Sequence, residues 1–213
     1  MSPNIKIVNY TKEDYEEVVS IFKNGCYERI SYSLRHGWKK PKVALFLSTS
    51  FLLIPISIKS AIICLILLWS LHAYSIYRIF YGYNSFHMST DMKDIELQFW
   101  TTPPNAYLLA KMNDTVVGMV SFQHIDEQTA ELNRMSVGVQ YRRLGIGKML
   151  TKELIQLLKK QGYKKVVLTT TSFQVDSHRF YENLGFAHTR NIYLGFPDNC
   201  SGVYVLEYIY NLV

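Results

Sequence analysis

The residues with the most specific chemistry form a glycine-containing turn between two regular segments. The strand-like residues 137–139 lead into basic residues and two glycines with the spacing Arg142-x-x-Gly145-x-Gly147. Glycines let the backbone approach a phosphate closely, and free N–H groups at a helix start bind anions. Arginines add cations that pair with phosphate oxygens. The turn therefore predicts a pyrophosphate-binding site whose candidate residues are Arg142, Arg143, Leu144, Gly145, Ile146, Gly147 and Lys148.

This spacing distinguishes the turn from two other phosphate-binding motifs. A P-loop would read G-x-x-x-x-G-K-[ST] and a dinucleotide fold would read G-x-G-x-x-G, and the turn matches neither pattern. An ordinary strand-to-helix turn is the alternative that the residues alone leave open.

The elements around the turn are predicted from hydrophobic periodicity. Residues 5–10 read as a strand, and Thr11 begins a capped helix that Gly25 is expected to end. Apolar runs on either side of Asn113-Asp114 predict a β-hairpin, and residues 145–162 predict a helix. The expected order is strand, helix, insert, helix, hairpin, strand, helix, strand, helix and two strands. This order predicts a mixed α/β domain.

The insert consists of two apolar runs over residues 43–58 and 60–77. Lys59 separates the runs, and Pro55 lies just before it. Each run is close to the shortest length that spans a hydrocarbon core of about 30 Å. We therefore expect a hairpin inserted in a membrane; the alternative is a buried helical pair in a soluble domain.

Composition limits the other classes of function. The 213 residues are 48% hydrophobic and 19% charged, with a net charge of +6. That charge suits nucleic acid, an anionic membrane or an anionic ligand, but no helix-turn-helix, zinc-finger or RRM pattern supports nucleic acid. Cys26, Cys64 and Cys200 are far apart and form no CxxC pair, so neither a disulfide framework nor a metal site is predicted.

Two motifs together carry a family resemblance. The turn is preceded by Glu-Leu-Asn-Arg-Met-Ser-Val at residues 131–137 and followed by Phe-Tyr-Glu-Asn-Leu-Gly-Phe at residues 180–186. This combination resembles the acetyl-CoA signature of the GNAT acetyltransferase superfamily, over residues 5–36 and 89–210. The resemblance implies a GNAT fold, with a mixed central sheet flanked by helices. It also implies acetyl-CoA as co-substrate and N-acetyl transfer as the activity.

The resemblance assigns roles to further residues. The backbone of Met135, Val137 and Val139 would hold the pantetheine arm in a splay between two parallel strands. Tyr181 matches the tyrosine that protonates the departing thiolate, and Glu131 would take a proton from the amine through water. Both roles compete with structural alternatives: packing for the tyrosine and simple solvation for the glutamate.

Some positions depart from the pattern or compete for a role. Gln174 and Ser177 stand where many members carry Asn and Ala, which weakens the expectation of side-chain contacts to CoA there. His178 is expected at the surface or in contact with CoA, and His124 at the surface, rather than as catalytic bases.

The apolar insert narrows the resemblance to the camello-like subfamily, supported by residues 90–95 and 116–120. The insert, a membrane hairpin expected at residues 43–81, divides the GNAT domain into residues 1–42 and 82–213. The expected function is membrane-anchored transfer to a small amino acid or a cysteine S-conjugate. Protein lysine and aspartate are alternative acceptors, and a non-catalytic acyl-CoA scaffold is a further alternative. Candidate cations for the second carboxylate of aspartate are Lys111, Arg134 and Arg190.

Topology follows from the position of the insert. One domain cannot assemble across a bilayer, so both flanks lie on the same side. The flanking charges are Arg35, Lys39, Lys40, Lys42 and Arg78, and positive flanks favour the cytosol. The endoplasmic reticulum membrane is implied by the resemblance, and the sequence indicates no oligomeric state.

Overall fold

A seven-stranded mixed sheet forms the centre of the computed structural model, which describes residues 4–100 and 104–212. The strand order is β1-β2-β3-β4-β5-β7-β6, and β4–β5 is the parallel pair among the described strands. The expected mixed α/β fold is confirmed. The strands are β1 (Ile5–Asn9), β2 (Ala106–Met112), β3 (Thr115–Asp126), β4 (Thr129–Val137), β5 (Lys165–Thr171), β6 (Ala187–Tyr193) and β7 (Tyr204–Asn211).

The described residues contain six α-helices. They are α1 (Tyr15–His36), α2 (Pro41–Ser48), α3 (Ile58–Ser89), α4 (Ile95–Trp100), α5 (Ile146–Lys160) and α6 (Val175–Asn183). The order of strands and helices matches the expected order. The hairpin turn is also confirmed, because Asn113 and Asp114 both have the positive φ that a tight primed turn requires.

The strands β4 and β5 separate after a short parallel contact. They pair only from Thr129↔Lys165 to Glu131↔Val167. The register of β4 with β3 then shifts at a bulge that contains Arg134, whose φ is +54°. A bulge bends the strand that carries it, while β5 stays paired with β7 along its whole length. The two parallel strands therefore splay into a V-shaped cleft.

Amphipathic helices bury opposite faces of the sheet. On one face, α5 places Ile146, Leu150, Leu154 and Leu158 at four-residue spacing in a core shared with the sheet, each at most 1% exposed. Each such burial contributes roughly 2 kcal/mol. On the other face, α1 and α4 form a second core with β2 and β3. A third apolar cluster joins α3 to the turns that follow β5 and β6, through Ile76, Phe80, Phe173 and Val203.

Two helix boundaries differ from the expectation. The helix α1 does not end at Gly25 but continues to His36, so that prediction is wrong. A Cβ at Gly25 would lie 3.4 Å from Ser136 Oγ, so this glycine allows α1 to approach β4. The residues Thr-Asp-Met-Lys-Asp at 90–94 read in the sequence as a capped helix start, but the helix begins at Ile95, where Asp94 Oδ1 accepts a hydrogen bond from the N–H of Leu97.

The apolar insert has two unequal arms. The first arm is α2 with a 3-10 turn, over Pro41–Leu53, and the second arm is α3, which passes beyond residue 81 to Ser89. Pro55 lies in the connection, and Lys59 lies in the first turn of α3. By length and composition, α3 is the one described helix able to cross a bilayer, and 22% of its most apolar stretch is buried.

Candidate active site

The start of α5 offers uncapped backbone N–H groups. Arg143 (φ +66°) and Gly145 (φ +80°) turn the chain into the helix, and no side chain caps its first turn. Within the described part of the chain, the N–H groups of residues 143–148 donate to no other residue. Unsatisfied N–H groups and the helix dipole favour an anion at this point. The turn therefore fits the pyrophosphate of acetyl-CoA.

The two sequence motifs meet at the start of α5. A Cβ at Gly147 would lie 3.3 Å from Cζ of Phe180, so the second glycine allows α6 to pack against α5. Phe180 is followed directly by Tyr181, which is 6% exposed. This glycine–phenylalanine contact therefore holds the helix that carries the candidate acid against the first turn of α5.

Tyr181 lies among aromatic rings, and its own hydroxyl is free. Its ring centroid is 5.5 Å from that of Phe186 and 6.3 Å from that of Tyr208. The hydroxyl makes no hydrogen bond to any residue that the structure describes. Burial raises the pKa of Tyr181 above its ordinary value, and the positive charge of Arg29 partly opposes this rise. The hydroxyl thus stays protonated and can donate a proton, as its predicted role requires.

Glu131 lies at the vertex of the splay. It is the last β4 residue paired with β5, opposite Val167, and its half-buried side chain has no hydrogen-bond partner among the described residues. Met135, Val137 and Val139 follow in the part of the chain that has left β5. Their backbone groups on the β5 side have no strand to pair with, which suits the pantetheine arm. These roles stay predictions.

The two arginines of the turn are exposed side chains that each contact a carboxylate. Arg142 donates to both carboxylate oxygens of Glu28, at 2.8 and 2.6 Å, and this pairing lowers the pKa of Glu28. Arg143 makes a longer, exposed contact with Asp176. Arg142 therefore ties the turn to α1, and the expected pairing with phosphate would have to displace Glu28.

The remaining residues of the turn differ in what they offer a ligand. The side chain of Ile146 is 1% exposed and belongs to the core, so only its backbone is available. Leu144 and Lys148 are exposed. Gln174 turns its side-chain oxygen onto Thr170 and Thr171, so this departure from the family pattern stabilises the β5–α6 turn.

The two histidines have structural partners. His124 Nδ1 hydrogen-bonds with the Tyr163 hydroxyl at 2.8 Å, on the α5 face of the sheet. His178 Nε2 lies 2.9 Å from the carbonyl oxygen of Thr171 and fixes the start of α6. Each contact occupies one ring nitrogen, and the second nitrogen has no hydrogen-bond partner among the described residues.

The three candidate cations for an acceptor carboxylate are all paired with carboxylates of the protein. Lys111 contacts Asp14 at 2.6 Å towards the β1 edge of the sheet. Arg134 is 5% exposed and donates to Asp91 and to the Tyr83 hydroxyl. Burial opposes the ionisation of Asp91, but the hydrogen bond from His87 and the charge of Arg134 outweigh it and lower its pKa. These two cations thus have structural roles.

Arg29 is a cation that the sequence motifs did not indicate. It lies on α1 one turn after buried Cys26, on the face that packs over β4, and it is half-buried. It forms no ion pair with the carboxylates of the described residues, and its charge acts on Tyr181 and Tyr83. Arg190 lies on the edge strand β6 and is paired with Glu207. The sequence alone could not indicate Arg29, because its position near the candidate acid depends on the path of α1.

A cavity of about 430 Å³ lies outside this cleft. It is bounded by α1 and the ends of β3 and β4, with Ser20, Asn24, Ser136 and Arg142 among its walls. Neither Tyr181 nor Glu131 lines it. The cavity shares Val137, Val139 and Arg142 with the candidate cofactor-binding residues, so it borders the cleft between β4 and β5.

Comparison with known proteins identifies the family. Residues 73–186 match the acetyltransferase (GNAT) family. The chain is 33% identical to the N-acetylaspartate synthetase of Danio rerio over 187 residues, which cover 84% of this chain and 66% of that protein. It is 27% identical to N-acetyltransferase 8 of Mus musculus over 217 residues, covering 98% of this chain and 96% of that protein. A GNAT acetyltransferase from Staphylococcus aureus Mu50 has the same fold, with a TM-score of 0.60 at 20% identity, covering 99% of this chain and 100% of that chain.

The chain therefore belongs to the GNAT acetyltransferase family. By family it is an N-acetyltransferase whose acyl donor is acetyl-CoA. The relatives named above are those of the camello-like group, so the resemblance seen in the motifs is confirmed.

Proposed function

We propose that the protein transfers the acetyl group of acetyl-CoA directly to the amino group of a small amino acid or a cysteine S-conjugate. The observation that carries the proposal is the free hydroxyl of Tyr181, which directly follows Phe180, the residue packed against Gly147 at the uncapped start of α5. A non-catalytic scaffold would need the anion site but not a buried, protonated hydroxyl next to it.

Acetyl-CoA supplies an acetyl thioester. The acceptor enters as an ammonium ion, and removing a proton from an amine of pKa about 10 costs roughly 4 kcal/mol at pH 7. Glu131 accepts this proton through a water molecule. The amine nitrogen then forms a bond to the carbonyl carbon, and the carbon–sulfur bond breaks. Tyr181 gives its proton to the departing sulfur, whose conjugate thiol has a pKa of about 8.5. The nitrogen loses its second proton as the amide forms, and this proton restores the Tyr181 hydroxyl through solvent. The products are an amide and a thiol, and the proton held by Glu131 is released to water.

Arg29 supports an acceptor with a free carboxylate. A half-buried guanidinium with no carboxylate partner in the described residues is an open binding position for an anion. Amino acids and cysteine conjugates carry such a carboxylate beside the amine, whereas a lysine within a protein does not. The relatives named N-acetylaspartate synthetase favour an amino acid, and aspartate is an alternative within this class.

The test is transfer from labelled acetyl-CoA to a panel of amino acids, cysteine conjugates and lysine peptides. We expect transfer to amino acids or conjugates, and Arg29→Gln should raise their KM between about 10-fold and 100-fold, the effect of one charge-assisted hydrogen bond. The control is Lys23→Gln on the same helix. Faster acetylation of lysine peptides than of every other acceptor would contradict the proposed acceptor class.

We also propose that the insert anchors the protein in a membrane. Large apolar side chains are exposed almost continuously along the tip of the two arms. The tip consists of Leu45, Phe51, Leu52, Ile54, Ile56, Ile58, Ile62, Ile63, Leu65, Ile66, Leu67 and Trp69. A soluble domain rarely exposes an apolar patch of this size.

The length of the free part of α3 favours entry and return on one side. His72 is fully buried against the domain, so residues 58–71 are the part of α3 that is free to insert. Fourteen residues rise about 21 Å, which is less than a hydrocarbon core of about 30 Å. We propose a hairpin in the endoplasmic reticulum membrane with the catalytic domain in the cytosol. The organelle rests on the resemblance and the side rests on the flanking charges. Glycosylation of an acceptor site engineered after residue 213 would contradict this orientation.

A further inference from the structure

The loop between β6 and β7 lies at the end of the sheet where the splay opens. Tyr193 of β6 pairs with Tyr204 of β7, and Val205 pairs with Thr171, the last residue of β5. Residues 194–203 therefore follow the same edge as the carboxyl end of β5. Ligands in open α/β sheets bind outside the carboxyl ends of the parallel strands. The loop is thus a rim of the cleft that receives the acceptor.

Three residues on one stripe of α3 hold this loop. His72 Nδ1 is 2.9 Å from the carbonyl oxygen of Cys200, and the Ser75 hydroxyl donates to the carbonyl oxygen of Pro197 at 2.8 Å. Arg78 donates from two nitrogens to both carboxylate oxygens of Asp198, each at 2.8 Å. The three residues are spaced by three positions, so they share one face of the helix.

The contact between α3 and the β6–β7 loop is buried at His72 and Ser75 and closely packed around the His72 ring. Both His72 and Ser75 are fully buried. A Cβ at Gly37 would lie 2.8 Å from His72 Nε2, so the end of α1 closes the other side of the ring. Below the polar stripe, Ile76 and Phe80 of α3 pack with Phe173 and Val203. The turn after β5 and the loop after β6 therefore rest on the same helix.

We propose that α3 positions the acceptor site. The stripe of His72, Ser75 and Arg78 fixes the β6–β7 loop, and the same helix carries the apolar tip. The hairpin therefore sets the geometry of the cleft rim as well as attaching the domain. None of the three residues touches the reacting atoms, so they act as positioning residues. The inference rests on the proposed transferase function.

The first experiment separates the acceptor from the donor. In the full chain in detergent, Ser75→Ala combined with Arg78→Gln should raise the KM of the acceptor about 10-fold. The KM of acetyl-CoA should change less than 2-fold, because the donor binds at α5. Asp198→Asn removes the same ion pair from the loop side with little change of shape. It should also raise the KM of the acceptor but not that of acetyl-CoA, by a smaller factor than the double variant. Tyr77→Ala, on an exposed face of α3, is the matched control and should leave both constants unchanged.

The second experiment needs no turnover. Cys200 lies in the held loop, Cys26 is buried, and Cys64 can be replaced by Ser. Maleimide should label Cys200 at least 5-fold faster in the double variant than in its parent. An unchanged labelling rate would show that α3 does not hold the loop. Faster labelling with an unchanged acceptor KM would show that the loop does not position the acceptor. A parent protein with no transfer to any amine refutes the proposed function and the acceptor role together, while labelling still reports on the loop.

Discussion

Gly145 allows the anion site at α5 to be tested with two substitutions at one position. Its φ is +80°, and a Cβ there would meet no atom within 4 Å. Gly145→Ala therefore adds backbone strain without a clash, at about 1–2 kcal/mol. The part of this strain that the free turn keeps lowers the melting temperature by roughly 2–4 °C for each kcal/mol. The part that the free turn relieves lowers the affinity for acetyl-CoA instead, by about 30-fold at most.

Gly145→Glu adds the same strain and a negative charge. At about 5 Å in water, each pair of like charges repels by about 0.8 kcal/mol, or roughly 1.7 kcal/mol against the two charges of a pyrophosphate. The affinity for acetyl-CoA should therefore fall about 20-fold further than in the alanine variant. This additional loss should shrink as salt is raised, because salt screens the repulsion.

Gly162 provides the matched control. It follows α5 at its opposite end with φ +86° and also has open space around a Cβ. Gly162→Ala and Gly162→Glu should lower the melting temperature comparably and leave the affinity for acetyl-CoA unchanged in isothermal titration. Equal affinity of the alanine and glutamate variants at position 145 would refute the assignment of the anion site to this turn.

Three further predictions concern the chemistry. Tyr181→Phe should lower kcat about 100-fold with little change in the KM of acetyl-CoA. Because burial raises the pKa of Tyr181, the wild-type kcat should show no alkaline decline below about pH 10. Steady-state kinetics across pH checks both. Glu131→Gln should reduce kcat/KM most at low pH, where the amine is most fully protonated; a uniform loss across pH would contradict its role as base. Replacing all three cysteines by Ser should leave turnover largely intact, since no cysteine lies in either motif; loss of turnover with intact folding would indicate an acyl-enzyme.

The sequence predicted the parts of the fold that depend on local pattern. The strand order along the chain, the Asn113-Asp114 hairpin and the glycine turn each follow from short-range periodicity or turn chemistry. The extent of α1 did not, because Gly25 in isolation reads as a helix end. In the structure it serves a close approach to Ser136 on β4. Tertiary contact thus overrode a local signal.

The partners of the charged residues were also beyond the sequence. Arg142 and Glu28 are 114 positions apart in the sequence, and Arg134 and Asp91 are 43 positions apart. Only the fold brings the members of each pair together. The sequence therefore overestimated how many cations were free to bind a ligand. It also offered no signal for Arg29, whose location depends on where α1 crosses β4.

The central claim is direct transfer from acetyl-CoA to an amine without an acyl-enzyme. A single-turnover quench experiment with labelled acetyl-CoA, followed by mass spectrometry of the intact protein and the small products, tests it most directly. We predict that the N-acetylated acceptor and free CoA appear together at one rate, that both slow equally in Tyr181→Phe, and that the protein carries no label. Label on the protein at early times, or release of CoA without an acceptor at the same rate, would contradict the account.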